Sequence, residues 1–392
     1  MTLEVLGGLA ELTPAYLSMV ENGKRTLDRY SLIIKLASAL SVPPAELAPG
    51  LPDRPGTPLD DSPDGSSEPQ APRRVLKTLD FIESEDSASA ADSLVHLVDH
   101  YSHALGSASP AAVYDELREV RTYTKGLIAR SGRLPWRVDL VEAAGWLSNL
   151  LAIAACDMGE HATARLWCAD SERRSNDTGN PDLAGWAMLT RALIAYYQGR
   201  SHQSVTLATR GRCIAPIGTV VHAKLAAQEM RSAAQAGDIT RMTTARREAS
   251  RAISKLPADS PTTGAFSIAL AEDPPYTATS LLLAGNFPES VAATYRVIST
   301  VYPAEARQRG ENPSGYARSL LILGLAHAGS GRLDEAVAAG QDALASRRPA
   351  WPTMVLAGHL DQVLAREYPG ARQATAYHAR YLEVVSATAL AR

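Results

Sequence analysis

The chain has 392 residues, a length that permits two or three domains and a sizeable hydrophobic core. Its 39 basic and 42 acidic residues leave a net charge of −3, which excludes a uniformly basic nucleic-acid coat and a strongly acidic tail protein. No run of 18 apolar residues and no basic leader before an apolar stretch are found, so we expect a cytoplasmic protein that does not enter a membrane. The three cysteines, Cys156, Cys168 and Cys213, form no CxxC pair and are expected as free thiols.

The first 48 residues predict short helices joined by tight turns. After a helix over about 2–10, Thr13 is suited to cap a second helix whose first position is Pro14, and Gly23 ends that helix. A third helix is predicted over about 27–40, because its apolar residues recur every three or four positions. Two helices across a short turn form a helix-turn-helix candidate, which we assign to residues 1–48.

A proline-rich segment separates this module from the rest of the chain. Residues 49–73 contain seven prolines among 25 residues and show no apolar periodicity. Such a segment does not bury enough apolar surface to offset the entropy of ordering it, so we expect a flexible linker. From residue 74 to residue 392 the apolar spacing is almost entirely helical. The predicted fold class is therefore all-α.

A helical repeat is predicted in the long C-terminal part. Five short segments, GEHATA, GRSHQS, GDITRM, GNFPES and GRLDEA, share a glycine, a polar residue and usually a small residue five places after the glycine. Their glycines, Gly159, Gly199, Gly237, Gly285 and Gly331, are 40, 38, 48 and 46 residues apart. Repeats of this length, each a pair of helices that turns at a glycine, are typical of an α-solenoid.

The last of these units resembles a tetratricopeptide repeat. In LLILGLAHAGSGRLDEAVAAGQDAL, Gly324 occupies a small position of the first helix, Gly331 the turn, and Ala336 the small position of the second helix. The resemblance covers residues 140–350 well and the remainder loosely. It implies that residues 74–392 form a tetratricopeptide-like domain whose concave face accepts an extended peptide or a partner helix.

The N-terminal module resembles the Cro/repressor-like helix-turn-helix of the XRE family. The matching positions are Thr2 and Leu6, the stretch LTPAYLS from Leu12, the stretch ENGKR from Glu21, and Leu36, Ala37, Ala39, Leu40 and Val42. The whole chain is similar to XRE-type regulators of high-GC bacteria that carry helical-repeat sensor domains. This resemblance implies a transcriptional regulator that binds double-stranded DNA, with the helix that begins at Pro14 in the major groove.

The resemblance also implies which side chains contact DNA. Leu17 and Leu36 are expected in the core of the module, which leaves the other face of the second helix for base edges and phosphates. The expected DNA-contacting residues are Thr13, Pro14, Ala15, Tyr16, Ser18, Met19, Asn22, Lys24, Arg25 and Arg29. The module carries only four basic side chains against five acidic ones. Because so few phosphate contacts give weak affinity, we expect a homodimer that forms through the repeat domain.

Two features leave a second function open. The family carries one more helix ahead of the helix at Thr2, so either the start lies further upstream or the module is a remnant. Leu3, Ala15 and Met19 stand at positions that face DNA, but they offer no donor or acceptor for base recognition. The alternative is a protein-interaction scaffold whose degenerate helix-turn-helix no longer binds DNA.

The concave face of the repeat domain contains the predicted partner site. If the glycines set the repeat phase, Asn149, Tyr196, Arg231 and Arg318 lie on the groove side. An asparagine amide is able to hold a peptide backbone, and arginines are able to take a carboxylate. We therefore predict that a peptide or protein ligand binds there. The alternative interpretation is that these are ordinary solvated positions.

The remaining sequence patterns give little support for a catalytic site or a metal site. His96, His100 and His103 lie with Asp99 on one helical face, a spacing that suits a metal ion, but no second segment supplies further ligands. We expect these histidines to be solvent or interface residues. No P-loop, GxSxG, HExxH or dinucleotide-type glycine motif occurs, so we predict no catalytic residue, no cofactor and no metal.

The cysteines and tryptophans of the repeat domain are interpreted as packing residues. Cys156 and Cys168 flank one repeat turn, and a free cysteine behaves as a small buried hydrophobe. Trp146, Trp167 and Trp186 lie within predicted repeat helices, where large side chains fill the gaps between small ones. We expect all five side chains in the hydrophobic core.

Overall fold

The computed structural model describes residues 13–22, 88–131, 137–269, 273–346 and 350–390, together with positions 3, 36, 39 and 40. Within these ranges the chain is all-α, as predicted, with 16 helices and no strand. The predicted linker at 49–73 lies outside the described residues, as do Lys24, Arg25 and Arg29. In chain order the helices are α1 (Pro14–Glu21), α2 (Ala88–Ser107), α3 (Pro110–Arg130), α4 (Arg137–Asp157), α5 (His161–Thr178), α6 (Pro181–Tyr197), α7 (Ser201–Ile214), α8 (Val220–Gln235), α9 (Ile239–Ile253), α10 (Thr277–Leu283), α11 (Phe287–Val301), α12 (Ala304–Gln308), α13 (Pro313–Gly329), α14 (Leu333–Leu344), α15 (Trp351–Glu367) and α16 (Arg372–Leu390).

Five helix pairs turn at the five glycines that the sequence analysis singled out. The pairs are α4/α5, α6/α7, α8/α9, α10/α11 and α13/α14. Each turn glycine has a left-handed φ between 72° and 78°. At Gly159 the glycine N–H donates to the Cys156 carbonyl at 2.9 Å, and the Glu160 N–H donates to the Ala155 carbonyl at 2.8 Å. The same two bonds recur at the other four turns, so each first helix ends in a Schellman motif.

The residue five places after each turn glycine is buried at all five turns. It is small at four of them, Ala164, Ser204, Ser290 and Ala336, and is Met242 at the remaining one. The hydroxyls of Ser204 and Ser290 donate to main-chain carbonyls of the paired helix, at 2.7 and 2.9 Å. A small side chain at this position therefore lets the two helices of a pair approach closely.

The close approach of the two helices of a pair also explains why a glycine, Gly324, lies inside helix α13. A Cβ atom on Gly324 of α13 would lie 3.0 Å from the carbonyl oxygen of Ala336 in α14. That distance is tighter than most contacts of real Cβ atoms, so a side chain at this position would require the Ala336 carbonyl to move by a few tenths of an ångström. The small positions that the sequence analysis assigned to this unit are thus the points where its two helices touch.

Successive pairs pack side by side, and their buried apolar residues form several clusters along the domain. Leu94, Leu117 and Leu147 join α2, α3 and α4 in one apolar cluster. At the other end of the domain Leu321 and Tyr377 belong to a cluster formed by α13 to α16. Such an arrangement, in which each helix pair packs mainly on its neighbours, is solenoid-like.

The solenoid curves until its last helices contact its first ones. Helix α13 contacts α2, and α15 contacts α4. The Trp351 ring at the start of α15 lies edge-on to the His161 ring, with 4.4 Å between the two centroids. A Cβ atom on Gly159 would lie 2.7 Å from the Trp351 Cδ1 atom. The first helices of the pairs therefore enclose an inner surface.

The longest interval between turn glycines contains a loop that crosses the first helices. Between α9 and α10, the Ala265 N–H donates to the Ser102 carbonyl of α2 at 2.9 Å. Two residues later, the Ser267 carbonyl accepts a hydrogen bond from the Lys224 ammonium of α8 at 2.8 Å. These bonds hold Phe266 against the inner side of α4 and α6.

Candidate functional site

Three of the four residues predicted for the groove meet inside the curved domain. The Arg231 guanidinium of α8 stacks between two tyrosine rings, with its carbon 4.0 Å from the Tyr196 centroid and 3.8 Å from the Tyr276 centroid. The Tyr197 centroid lies 5.5 Å away. Only 4% of Arg231 is exposed. Cation–π contacts of this kind are strengthened when the cation is removed from water.

Arg318 of α13 lies near two of the same tyrosines, Tyr197 and Tyr276. Its guanidinium interacts electrostatically with Tyr197, Asp157, Tyr302 and Tyr276. Among the described residues, Arg318 has neither a hydrogen-bond acceptor nor an ion-pair partner. We call Asp157, Tyr196, Tyr197, Lys224, Arg231, Tyr276, Tyr302 and Arg318 the arginine–tyrosine cluster.

The cluster holds more positive than negative charge. Burial, followed by repulsion from Arg231 and Arg318, lowers the pKa of Lys224 to about 8. The one carboxylate assigned to the cluster belongs to Asp157, and burial raises its pKa to about 6 although Arg318 acts in the opposite direction. In the described part of the chain, Asp157 forms no ion pair with an arginine or a lysine. The positive charges of Lys224, Arg231 and Arg318 are therefore only partly balanced by the carboxylate of Asp157.

The hydrogen bonds of the cluster leave donors unused. The Arg231 Nη2 atom donates to the Gln228 side-chain oxygen, whereas its buried Nε atom donates to no described residue. The Lys224 ammonium is occupied by the Ser267 carbonyl and also lies 5.1 Å from the Trp186 ring centroid. Because a guanidinium presents donors in a fixed fork that matches a carboxylate or a phosphate, this surface is suited to an anionic group.

Asn149, the fourth predicted groove residue, lies apart from these contacts. It is fully buried in α4, and its side-chain oxygen accepts a hydrogen bond from the Thr190 hydroxyl of α6 at 3.0 Å. Its Nδ2 atom is buried and finds no acceptor among the described residues. Asn149 therefore contacts no solvent here, and its role in holding a peptide backbone stays a prediction.

Several members of the cluster were not predicted from the sequence. Lys224 and Arg231 are seven residues apart on α8, which places them on one helical face, and that signal was available in the sequence. Tyr197 follows the predicted Tyr196 directly. Tyr276 has a left-handed φ of 68°, an unusual conformation for tyrosine that no sequence pattern announces.

The predicted DNA-contacting residues are described only in part. Helix α1 begins at Pro14 and ends at Glu21, and Leu17 and Leu36 are 4% and 3% exposed, as predicted. Ala15 and Tyr16 lie within α1, while Ser18 is half-buried. The exposed residues are Thr13, Pro14, Met19 and Asn22. The Asn22 amide donates to the Ser18 carbonyl at 2.7 Å, so in this conformation it serves the helix end.

Among the histidines of α2, His103 is held by contacts with two other groups of the protein. The His103 Nδ1 atom lies 2.9 Å from the Asp99 carbonyl, and its Nε2 atom lies 3.1 Å from the Thr263 hydroxyl. In the described residues, no group of three or more histidine, cysteine, aspartate or glutamate side chains is arranged to hold a metal ion. His103 thus connects α2 to the loop between α9 and α10.

The cysteines and tryptophans follow the packing interpretation only in part. Cys156 and Cys168 are free and buried in one small apolar cluster, as expected. Trp186 is buried too. Trp146 and Trp167, however, are only half-buried: Trp146 lines a pocket at the amino-terminal ends of α4 and α6, and Trp167 packs at the edge of the cluster that holds Cys156 and Cys168.

Comparison with models of known protein families gives no match, and comparison with curated proteins gives none either. One described helix, α4, is long and apolar enough to cross a membrane by length and composition, with a mean hydropathy of 1.4. Of its most apolar stretch, 72% is buried inside the fold. The central helix of a protein core has the same properties.

Proposed function

We propose that the chain is a DNA-binding transcriptional regulator whose helical-repeat domain binds a peptide or protein through an acidic group. The proposal that the domain binds an acidic ligand rests mainly on the environment of Arg318. Its guanidinium lies near Tyr197, Tyr276 and Tyr302, is only partly exposed, and has no ion-pair partner among the described residues. A partly buried guanidinium forms strong, charge-assisted hydrogen bonds with a negative group that reaches it. A ligand carboxylate would supply that group.

The stacked arrangement of Arg231 supports the same ligand class. Tyr196 and Tyr276 fix its guanidinium from both sides, so little side-chain entropy is lost when a ligand binds. The tyrosine rings also offer apolar area to the atoms next to the acidic group. An acidic side chain of a peptide and a free carboxyl terminus both meet these requirements.

The DNA-binding side of the proposal is supported by residues 1–48. The helix that begins at Pro14 and its buried Leu17 agree with a recognition helix that packs on one face. Binding of a ligand inside the repeat domain would favour one curvature of the solenoid, and in a homodimer this changes the separation of the two DNA-binding modules. Operator affinity would change with that separation.

Selection of genomic DNA fragments by the purified chain tests the regulator directly. The selection is made at two salt concentrations and repeated with Arg25→Glu, which reverses a charge beside the expected recognition helix. Arg366→Gln is the matched control, because Arg366 is an exposed arginine of the repeat domain. The regulator predicts a palindromic sequence that the chain and Arg366→Gln enrich and that Arg25→Glu does not. Equal enrichment of random fragments by all three proteins would contradict it.

A protein-interaction scaffold is the second candidate function. It is favoured by Met19, an apolar residue that is 38% exposed on α1, and by the Asn22 amide, which is occupied by Ser18. Neither side chain, in this state, offers a donor to a base edge. Under this function the selection enriches no sequence, while the purified chain retains a partner that depends on Arg318.

A further inference from the structure

A pocket of 630 Å³ lies at the amino-terminal ends of α2, α4, α6 and α8, and its lining includes neither Arg231 nor Arg318. Its lining includes the aromatic residues Trp146, Trp186 and Phe266 and the acidic residues Glu142 and Asp182. The volume is in the usual range for small-molecule sites. We call it the amino-end pocket.

Three aromatic rings form one wall of the amino-end pocket. The Phe266 ring lies between two indoles, edge-on to both, with centroid distances of 4.8 Å to Trp146 and 5.2 Å to Trp186. Phe266 is held there by the main-chain hydrogen bonds of its loop to α2 and α8. Indole faces carry partial negative charge and attract cations, and the Lys224 ammonium already lies 5.1 Å from the Trp186 centroid.

Acidic side chains line the pocket beside these rings, and the Trp146 indole N–H donates to the Glu142 carboxylate at 3.4 Å. Asp92, Asp139, Glu142 and Asp182 contribute four carboxylates, and no lysine or arginine belongs to the described lining. The Glu142 carboxylate is fixed by the Asn180 amide, which donates to its Oε1 atom at 2.8 Å. The buried Oδ1 atom of Asp182 accepts no hydrogen bond from the described residues. An unpartnered buried carboxylate oxygen is costly, and a cationic donor would remove that cost.

We propose that the amino-end pocket binds an organic cation with an apolar body, such as an alkylammonium group or the end of a cationic side chain. The carboxylates of Glu142 and Asp182 compensate the charge, while Trp146, Trp186 and Phe266 cover the apolar part. An inorganic cation fits less well, because it would leave the aromatic wall unused. The site is independent of the proposed function, since it uses neither Arg231 nor Arg318.

Titration with three probes of one length tests this site. The probes are hexylammonium, its neutral counterpart 1-hexanol and its anionic counterpart hexanoate, added to the full chain at constant ionic strength. Calorimetry gives the affinity, and tryptophan fluorescence locates binding, since Trp146 and Trp186 line the pocket. We expect hexylammonium to bind at least tenfold more tightly than hexanol, with hexanoate weakest. Equal affinity for hexylammonium and hexanol would overturn the proposal.

Two variants locate the cation. Glu142→Gln keeps a hydrogen-bond acceptor for Asn180 but removes charge, and Asp182→Asn removes the second carboxylate. Each is expected to weaken hexylammonium binding at least fivefold and to leave hexanol binding unchanged. Glu335→Gln, an exposed acid on α14, is the control and keeps full affinity. Unchanged hexylammonium affinity in folded Glu142→Gln and Asp182→Asn proteins would place the cation elsewhere and overturn the assignment.

Discussion

Contact between the two ends of the solenoid predicts that two equivalent glycines respond differently to the same substitution. Gly159 and Gly199 both end a first helix, with φ of 78° and 72°. A Cβ atom on Gly199 would meet nothing within 4 Å, whereas one on Gly159 would lie 2.7 Å from Trp351 Cδ1. Alanine in a left-handed conformation costs about 1 kcal/mol, and forcing an atom into a packed contact adds about 1–3 kcal/mol.

Gly199→Ala should therefore lower the free energy of unfolding by about 1 kcal/mol, and Gly159→Ala by about 2–4 kcal/mol. For a domain of this size each kcal/mol corresponds to about 2–4 °C in Tm. Denaturant unfolding and thermal melts of both variants measure the difference. In a Trp351→Ala background the contact is absent, so Gly159→Ala should cost no more than Gly199→Ala. Equal costs of the two glycine variants in the otherwise unchanged chain would refute the contact between α15 and the α4/α5 turn.

Two further predictions concern buried charges. Because the folded-state pKa of Asp157 is raised to about 6, its contribution to stability is present below about pH 4 and is lost as the pH rises through 6. Asp157→Asn should consequently be more stable than the original chain at pH 7.5, by up to about 3 kcal/mol, and the gap should close towards pH 4 in urea titrations; a gap independent of pH would contradict this. Arg121 donates to Asp170 Oδ2 at 2.8 Å in a mostly buried pair, so Arg121→Met should cost about 3–5 kcal/mol. The exposed Arg118→Met on the same helix should cost less than about 0.5 kcal/mol, and similar losses in the two variants would show that the buried pair adds little.

The helix pairs and their turns could be predicted because their causes are local. A glycine such as Gly199 ends a helix by adopting a left-handed conformation, and a small residue such as Ser204 five places later lets the partner helix approach. The glycine and the small residue both lie within one stretch of six residues, so a short sequence segment is enough to recognise them. The second helix of the N-terminal module was predictable for the same reason, since Pro14 fits its first position.

The inner surface could not be predicted in full, because it depends on how far the solenoid curves. The curvature is the sum of small rotations between successive helix pairs. No single segment of the sequence therefore predicts the contact between the rings of Trp351 and His161. The same holds for Phe266, which reaches Trp146 only because its loop crosses several helices. Tyr196 was expected in an open groove, and the stack of rings around Arg231 encloses it instead.

Selection from a random library of short peptides with free carboxyl termini tests most directly whether the arginine–tyrosine cluster binds an acidic group. The full chain, Arg318→Gln and the exposed control Arg366→Gln are compared, and Tm values establish that all three are folded. We predict that the full chain and Arg366→Gln enrich peptides whose binding requires an acidic side chain or a free terminal carboxylate, and that Arg318→Gln binds them at least tenfold more weakly. Equal binding by Arg318→Gln, or enrichment of peptides that bind without any acidic group, would contradict the account.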